Sequence, residues 1–225
     1  MLVALLATAC TSCFENHSAE VRFRVDAVVQ EHGESRQGSA VWSMALKRPI
    51  LALASPYDAH FEGEAIPIQM PDRKWVLVLP TNLTFGYSAG LWPERIFGVS
   101  QREGGKVRDR IDVLRDVGMR RGASVDLDCV ELHAEGATAG SDLHCPSLMR
   151  ASDLGDPESY VLVDESAERK RDPDAPHLQR ITVTITDAPV TRRLDKVAPW
   201  LNRVRVQAYN ELHSKRRTRA STAPR

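Results

Sequence analysis

The chain has 225 residues, of which 42% are hydrophobic and 27% are charged. These values are ordinary for globular proteins and exclude wholesale disorder. Thirty basic residues balance thirty acidic ones, so no overall field attracts nucleic acid, and we expect no nucleic-acid partner. The length fits one β sandwich or barrel, or two smaller domains.

The first nine residues, MLVALLATA, are apolar or small and lead directly into Cys10. This segment is too short to span a bilayer but long enough for the apolar region of a signal peptide. Small residues before a cysteine resemble the processing box of bacterial lipoproteins, which predicts acylation of Cys10 or, alternatively, of Cys13. A signal peptide normally begins with Lys or Arg, and none precedes Arg22, so an uncleaved start or a buried cytoplasmic strand is the alternative.

Acylation would anchor the protein to the cell envelope, facing the periplasm, without a membrane span. The membrane surface is then the predicted partner, and a cytoplasmic location is the alternative. The predicted divisions are a signal-like segment, a tether, a single β-rich domain and a basic disordered tail, at 1–9, 10–20, 21–209 and 210–225. The tail carries five basic residues and no acid from Lys215 onward, which is typical of a solvated end.

Two hairpins are predicted in the first half of the chain. Apolar and polar residues alternate over 21–29 and again over 40–46, and a turn around Gly33 joins the two runs. The second hairpin pairs 66–70 with 75–79 through a Pro-Asp turn. Pro67 predicts that its first strand is an edge strand or carries a bulge.

The rest of the chain adds strands and two helices. Apolar residues at 107, 111, 114 and 117 predict an amphipathic helix that ends at Gly118. An irregular stretch is predicted at 81–104 and a solvated loop at 165–176. Three further strands are predicted at 123–132, 160–163 and 180–186. A final helix at 192–209 should be kinked at Pro199. These elements predict a mainly β fold, an antiparallel sandwich or partly open barrel with one or two added helices, with α+β as the alternative.

Cysteine and histidine residues cluster in the second half. Cys129 and Cys145 predict a disulfide, which an exported protein would form in its oxidising compartment. Together with His133 and His144 they could instead supply four zinc ligands. His144 and Cys145 are neighbours, however, and neighbouring side chains on an extended chain point apart. The disulfide is thus the favoured prediction, and metal binding and unpaired thiols are the alternatives to it.

Two motifs of common enzyme classes are absent. The phosphate-binding glycine loop and the paired-histidine zinc helix do not occur in the sequence. The carboxylate pairs at 126 and 128 and at 62 and 64, with His60, are interpreted as solvated side chains. We expect no catalytic residue and no cofactor, and the sequence favours a protein that is not an enzyme. Trp92, in the irregular stretch, is the candidate for an exposed binding aromatic.

Several short phrases resemble a family of uncharacterised proteobacterial proteins. In the second half they are DPES from Asp156, VD from Val163, ITVTITDAPVT from Ile181 and PWL from Pro199; in the first half the phrase is QGSAV from Gln37. The resemblance runs in order over most of residues 21–201. It implies no activity, cofactor or catalytic residue.

Three functional hypotheses follow from the sequence. The first is an envelope lipoprotein that acts by binding or scaffolding. The second is a cryptic hydrolase or metal-dependent enzyme around the cysteine and histidine cluster. The third is an intracellular interaction protein whose basic tail binds an acidic partner.

Overall fold

The computed structural model describes residues 18–49, 57–82, 87–88, 92–97, 102–103, 106–130 and 144–198. Its strands form a five-stranded and a four-stranded antiparallel sheet, with two short two-stranded ribbons. Within these residues the chain adds four α-helices and closes no barrel, so the predicted mainly β class is confirmed.

The strands are β1 (Ser18–Glu31), β2 (Glu34–Lys47), β3 (Asp58–Glu62), β4 (Ile66–Gln69), β5 (Trp75–Val78), β6 (Thr81–Asn82), β7 (Tyr87–Ser88), β8 (Arg102–Glu103), β9 (Lys106–Val107), β10 (Ser124–Asp128), β11 (Leu148–Ala151), β12 (Tyr160–Leu162) and β13 (His177–Ile185). The helices are α1 (Trp92–Ile96), α2 (Arg110–Gly118), α3 (Glu165–Arg171) and α4 (Leu194–Val197). The larger sheet has the order β10-β13-β1-β2-β3, and the smaller has the order β12-β11-β5-β4.

The long β1–β2 hairpin is the centre of the larger sheet. Every second residue of β1 is buried, as the alternation predicts; these residues are Val21, Phe23, Val25, Ala27 and Val29. The predicted hairpin is confirmed, but its turn is narrower than the expected loop. Only His32 and Gly33 lie between the strands, with φ of 49° and 75°, which is the geometry of a tight primed turn.

The inner face of this hairpin is covered differently at its two ends. At the end near Ser18, which we call the anchor end, α2 packs on β1 and Arg115 Nη2 donates to the Ser18 carbonyl (3.4 Å). Toward Gly33, which we call the turn end, β4 packs on β2. A Cβ on Gly38 would lie 2.8 Å from side-chain atoms of both Ile66 and Ile68. The missing side chain at Gly38 therefore lets the two sheets approach each other closely.

The second hairpin is found where the sequence placed it, and the first predicted helix is found with a later start. Val107, predicted as its first apolar residue, lies instead in β9 and is 75% exposed. Strands β4 and β5 pair from Ile66 to Gln69, and Pro67 lies in an edge strand. Helix α2 begins after Asp109, whose carboxylate accepts a hydrogen bond from Ile111 N (2.8 Å), and ends at Gly118. A smaller core cluster, which includes Leu77 of β5, packs against α4.

Two predictions about the second half need correction. The expected solvated loop at 165–176 begins with helix α3, capped by the Asp164 carboxylate, which accepts from Ala167 N (3.0 Å). Acidic residues in its first turn and basic residues in its last turn interact favourably with the helix dipole. The segment was not predicted as a helix because its apolar residues have no helical periodicity. Helix α4 covers only Leu194–Val197 of the predicted final helix, and 199–209 lie outside the described residues.

The predicted segment boundaries stay predictions, because residues 1–17 and 199–225 lie outside the described part of the chain. Cys10, Cys13 and the basic tail fall in these ranges. Within the described ranges, no helix has the length and apolar character needed to cross a membrane.

Candidate functional site

The disulfide predicted between Cys129 and Cys145 is present, with a Cα–Cα distance of 5.8 Å. Cys129 follows β10 of the larger sheet and Cys145 precedes β11 of the smaller sheet, so the bond links the two sheets covalently. Both cysteines are buried in the main core cluster. Beside them, burial and the nearby Arg95 lower the pKa of His144.

The alternative zinc site is not formed in this structure. Its two cysteine sulfurs are bonded to each other, so neither is a thiolate ligand. His133 lies outside the described residues. In the part of the chain that the structure describes, no group of three or more Cys, His, Asp or Glu side chains is placed to hold a metal ion.

Trp92 is buried, so the prediction that it is an exposed aromatic is wrong. Its side chain is 4% exposed, and its ring centroid lies 5.9 Å from that of Trp42. Trp42 is itself fully buried and donates from Nε1 to the Glu64 carbonyl (2.8 Å). Helix α1 thus inserts Trp92 into the core as part of an aromatic cluster, because a large apolar ring gains more from burial than from solvent contact.

The carboxylate pair on β10 is exposed, as the sequence predicted. Asp126 accepts a hydrogen bond from the Thr182 hydroxyl (2.5 Å) on the neighbouring strand. Asp128 accepts from Val130 N (2.9 Å) and so bends the chain just before the disulfide. Both carboxylates lie on the exposed face of the sheet.

The pair at 62 and 64 differs from expectation. Glu62 is partly exposed and bonds Arg192, whereas Glu64 is 8% exposed and accepts from Leu194 N (2.7 Å). Arg193, the N-cap residue of α4, makes no side-chain cap, so the buried Glu64 carboxylate caps that helix instead. The interpretation of Glu64 as solvated is therefore wrong, while His60 is exposed as expected.

A buried ion pair that sequence reasoning missed joins α1 to α2. Glu94 is 4% exposed and binds Arg110 through both carboxylate oxygens, at 2.6 and 3.1 Å. These hydrogen bonds raise the pKa of the Arg110 guanidinium, which also lies over the Tyr57 ring, 5.8 Å from its centroid. Sixteen positions separate the two partners, too many for any helix-spacing rule to reveal the pair.

A second missed carboxylate joins α3 to β13. Glu165 Oε2 accepts a hydrogen bond from Leu178 N (3.0 Å). Burial raises the pKa of Glu165 to about 7, because the loss of hydration disfavours the charged form more than this bond and the nearby Arg169 favour it. Nearby, Arg150 bridges Glu31 and Glu168, at 3.0 and 3.3 Å.

The described surface includes a pair of open grooves that differ in charge. The larger, about 450 Å³, is at the anchor end, and we call it the anchor-end groove; its principal lining residues are Glu20, Arg22, Arg115, Met119, Arg121 and Asp187. The smaller, about 310 Å³, lies beside β3; its polar lining residues include His60, Glu62, Glu64, Arg192 and Asp195. The larger groove is rich in arginine and the smaller in carboxylates, so they suit ligands of opposite charge.

Comparison with protein-family models, with curated proteins and with solved structures finds no match for this chain. The resemblance to uncharacterised proteobacterial proteins therefore stays a prediction. The QGSAV phrase nevertheless has a structural explanation, since its Gly38 is where the two sheets touch.

Proposed function

We propose that the protein is a bacterial envelope lipoprotein, acylated at Cys10 or alternatively at Cys13, whose β-rich domain acts by binding or scaffolding on the periplasmic side. The observation that carries the proposal is the buried Cys129–Cys145 disulfide between the two sheets. Disulfides persist in oxidising compartments and are rare in the cytosol. A structural disulfide and a lipoprotein-like N-terminus point to the same compartment.

The buried charges support a scaffolding role. Glu64 caps α4, Glu94 holds α2 to α1, and Glu165 holds α3 to β13. A general acid or base must reach a substrate proton, whereas each of these carboxylates bonds a neighbouring element of the fold. The hydrolase and the intracellular interaction protein remain alternatives, and no specific contact in the described residues favours either.

Intact mass and fractionation of the protein, expressed in a bacterial host with its native start, test the proposal. We expect a species in the membrane fraction, cleaved before Cys10 or Cys13, with added acyl mass and without free thiols at Cys129 and Cys145. Cys10→Ser and Cys13→Ser, made separately, identify the acylated residue, since only one of them should abolish the added mass.

The matched control is Cys129→Ala/Cys145→Ala, which removes two cysteines but should keep the acyl mass. A soluble, uncleaved wild-type chain with reduced cysteines would overturn the export argument. The intracellular alternative would then lead.

A further inference from the structure

We propose that the anchor-end groove binds the headgroups of anionic phospholipids in the membrane to which the protein is attached. The idea rests on the proposed lipid anchor, because the anchor brings this end of the molecule to the bilayer. The ligand class is a phosphodiester headgroup with net negative charge, displayed on a bilayer surface.

The short tether restricts which surface can meet the membrane. Ser18, where β1 begins, follows Cys10 by eight positions, so an extended tether reaches at most about 29 Å. From Cys13 the reach is at most about 18 Å. The hairpin itself is about 45 Å long at 3.3 Å per strand residue, which allows the turn end to lie far from the bilayer while the anchor end stays beside it.

The charges in the groove match a phosphate ligand. Its lining contains three arginines and two carboxylates, and Arg22 binds Glu20 (3.0 Å) through Nε. Arg121 uses Nη1 to bind Asp187 (2.9 Å), and both side chains are largely exposed. Arg115 binds Asp112 (2.8 Å) through Nη1. A guanidinium has five N–H donors, so each arginine keeps donors beyond its carboxylate partner, and planar forks of this kind suit phosphate oxygens.

An exposed apolar side chain lies beside these arginines. Met119, just after α2, is 71% exposed and lines the same groove. An apolar side chain next to basic ones is the arrangement with which peripheral proteins enter the boundary between headgroups and acyl chains. The groove beside β3 has no such pairing, and its carboxylates would repel a phosphate.

Vesicle binding by the full chain carrying Cys10→Ser/Cys13→Ser tests the proposal without any acyl anchor. The probes are vesicles of mixed phosphatidylglycerol and phosphatidylethanolamine, and neutral vesicles of phosphatidylcholine. We expect tighter binding to the anionic vesicles, weakened by salt. Adding Arg115→Gln/Arg121→Gln should weaken that binding about tenfold. A basic residue near an anionic surface contributes up to about fivefold, and about threefold is expected for one that shares its charge with a carboxylate.

The matched control is Arg36→Gln/Arg171→Gln, which removes the same charge from exposed sites near the start of β2 and at the end of α3. It should change binding by less than about twofold. The basic tail and the apolar first residues are the same in all variants, so their contributions cancel. Arg121→Gln alone, at a side chain that is 71% exposed, should weaken binding about threefold without risk to the fold.

Equal losses in the groove variant and in the control, or equal binding to neutral and anionic vesicles, would overturn the headgroup site. The two proposals fail separately. An acylated chain whose groove variants bind like the control keeps the lipid anchor and loses the groove. An unacylated chain with groove-dependent vesicle binding keeps the groove and loses the anchor.

Discussion

The two ends of the β1–β2 hairpin bury their inner faces under different partners. At the anchor end, α1 and α2 cover the hairpin, and the Glu94–Arg110 ion pair connects these helices. At the turn end, the smaller sheet covers it, and the disulfide ties the two sheets together. Near the turn end, the partly buried Glu165 carboxyl accepts a hydrogen bond from the backbone N–H of Leu178.

The difference shows how partners decide the state of a buried carboxyl group. A bidentate guanidinium offsets the lost hydration of the Glu94 carboxylate. At Glu165, burial outweighs the hydrogen bond from Leu178 N, and the pKa rises to about 7. We therefore expect the anchor end to depend on the integrity of an ion pair, and the turn end to depend on pH and on redox conditions.

The largest effect is expected at the anchor end. Glu94→Ala should lower the free energy of unfolding by about 4 kcal/mol, since it leaves a partly buried guanidinium without its partner. Urea denaturation measures this. Asp112→Ala, which breaks the exposed pair with Arg115, is the control and should cost less than about 1 kcal/mol. Glu94→Leu/Arg110→Met should recover most of the loss, and equal losses in the two single variants would contradict a buried pair.

Loss of the disulfide should have the next largest effect, at the turn end. Cys129→Ala/Cys145→Ala should lower the free energy of unfolding by about 3 kcal/mol, the value expected for a closed loop of about this size. The cysteines are separated by 16 positions. Thermal unfolding with and without reductant measures the effect. Cys10→Ser/Cys13→Ser should leave both the stability and its sensitivity to reductant unchanged, and a wild type insensitive to reductant would argue against the bond.

Glu165 should make stability depend on pH. Its folded-state pKa of about 7 lies above the ordinary value of 4.5, so folding favours the protonated carboxyl. This contribution is complete below the unfolded pKa and is lost as the pH rises through about 7, by roughly 2 kcal/mol for this largely buried group.

Urea unfolding of the wild type and of Glu165→Gln across this pH range checks the prediction. The difference between the two proteins should change between about pH 5 and pH 8 and be constant above. Glu158→Gln, at an exposed site, is the control and should run parallel to the wild type. A constant difference between wild type and Glu165→Gln would mean that Glu165 is charged throughout.

The smallest effect is expected at two glycines. Gly33→Ala should cost about 1 kcal/mol, because its φ of +75° is unfavourable for a residue with a Cβ although nothing crowds the site. Gly118→Ala at the anchor end, where the nearest atom would lie 3.7 Å from the new Cβ, should be neutral or slightly stabilising in its helix. Thermal unfolding of both variants measures their stabilities. An equal loss of stability in the two variants would show that alanine does not strain the turn at position 33.

Much of the fold was predictable because it follows local patterns. Period-two alternation located β1 and β2, and helical spacing with Gly118 located α2. Pro67 correctly indicated an edge strand, because proline has no N–H for a second neighbour. Helix α3 was missed because its sequence, ESAERKR, is polar on all sides, and only its caps and end charges favour a helix.

The candidate sites were less predictable than the fold. The disulfide was predictable because only two cysteines lie in the body of the chain, so one pairing was available. The roles of Glu64, Glu94 and Glu165 were not, since each partner lies 13 or more positions away. The anchor-end groove combines residues of β1, of α2 and its following turn, and of the end of β13, and no local pattern predicts that meeting.

The amino-acid sequence alone determined the β-rich class, the two hairpins and most of the amphipathic helix, because these depend on residues close in the chain. It favoured the pairing of Cys129 with Cys145 but left a zinc site and unpaired thiols as alternatives. Only the tertiary structure decided that Trp92 is buried. It also decided which carboxylates lose hydration and that arginines of separate elements line the anchor-end groove. Burial and charge pairing depend on which distant surfaces come into contact, and hydration is lost only when those surfaces close over a group.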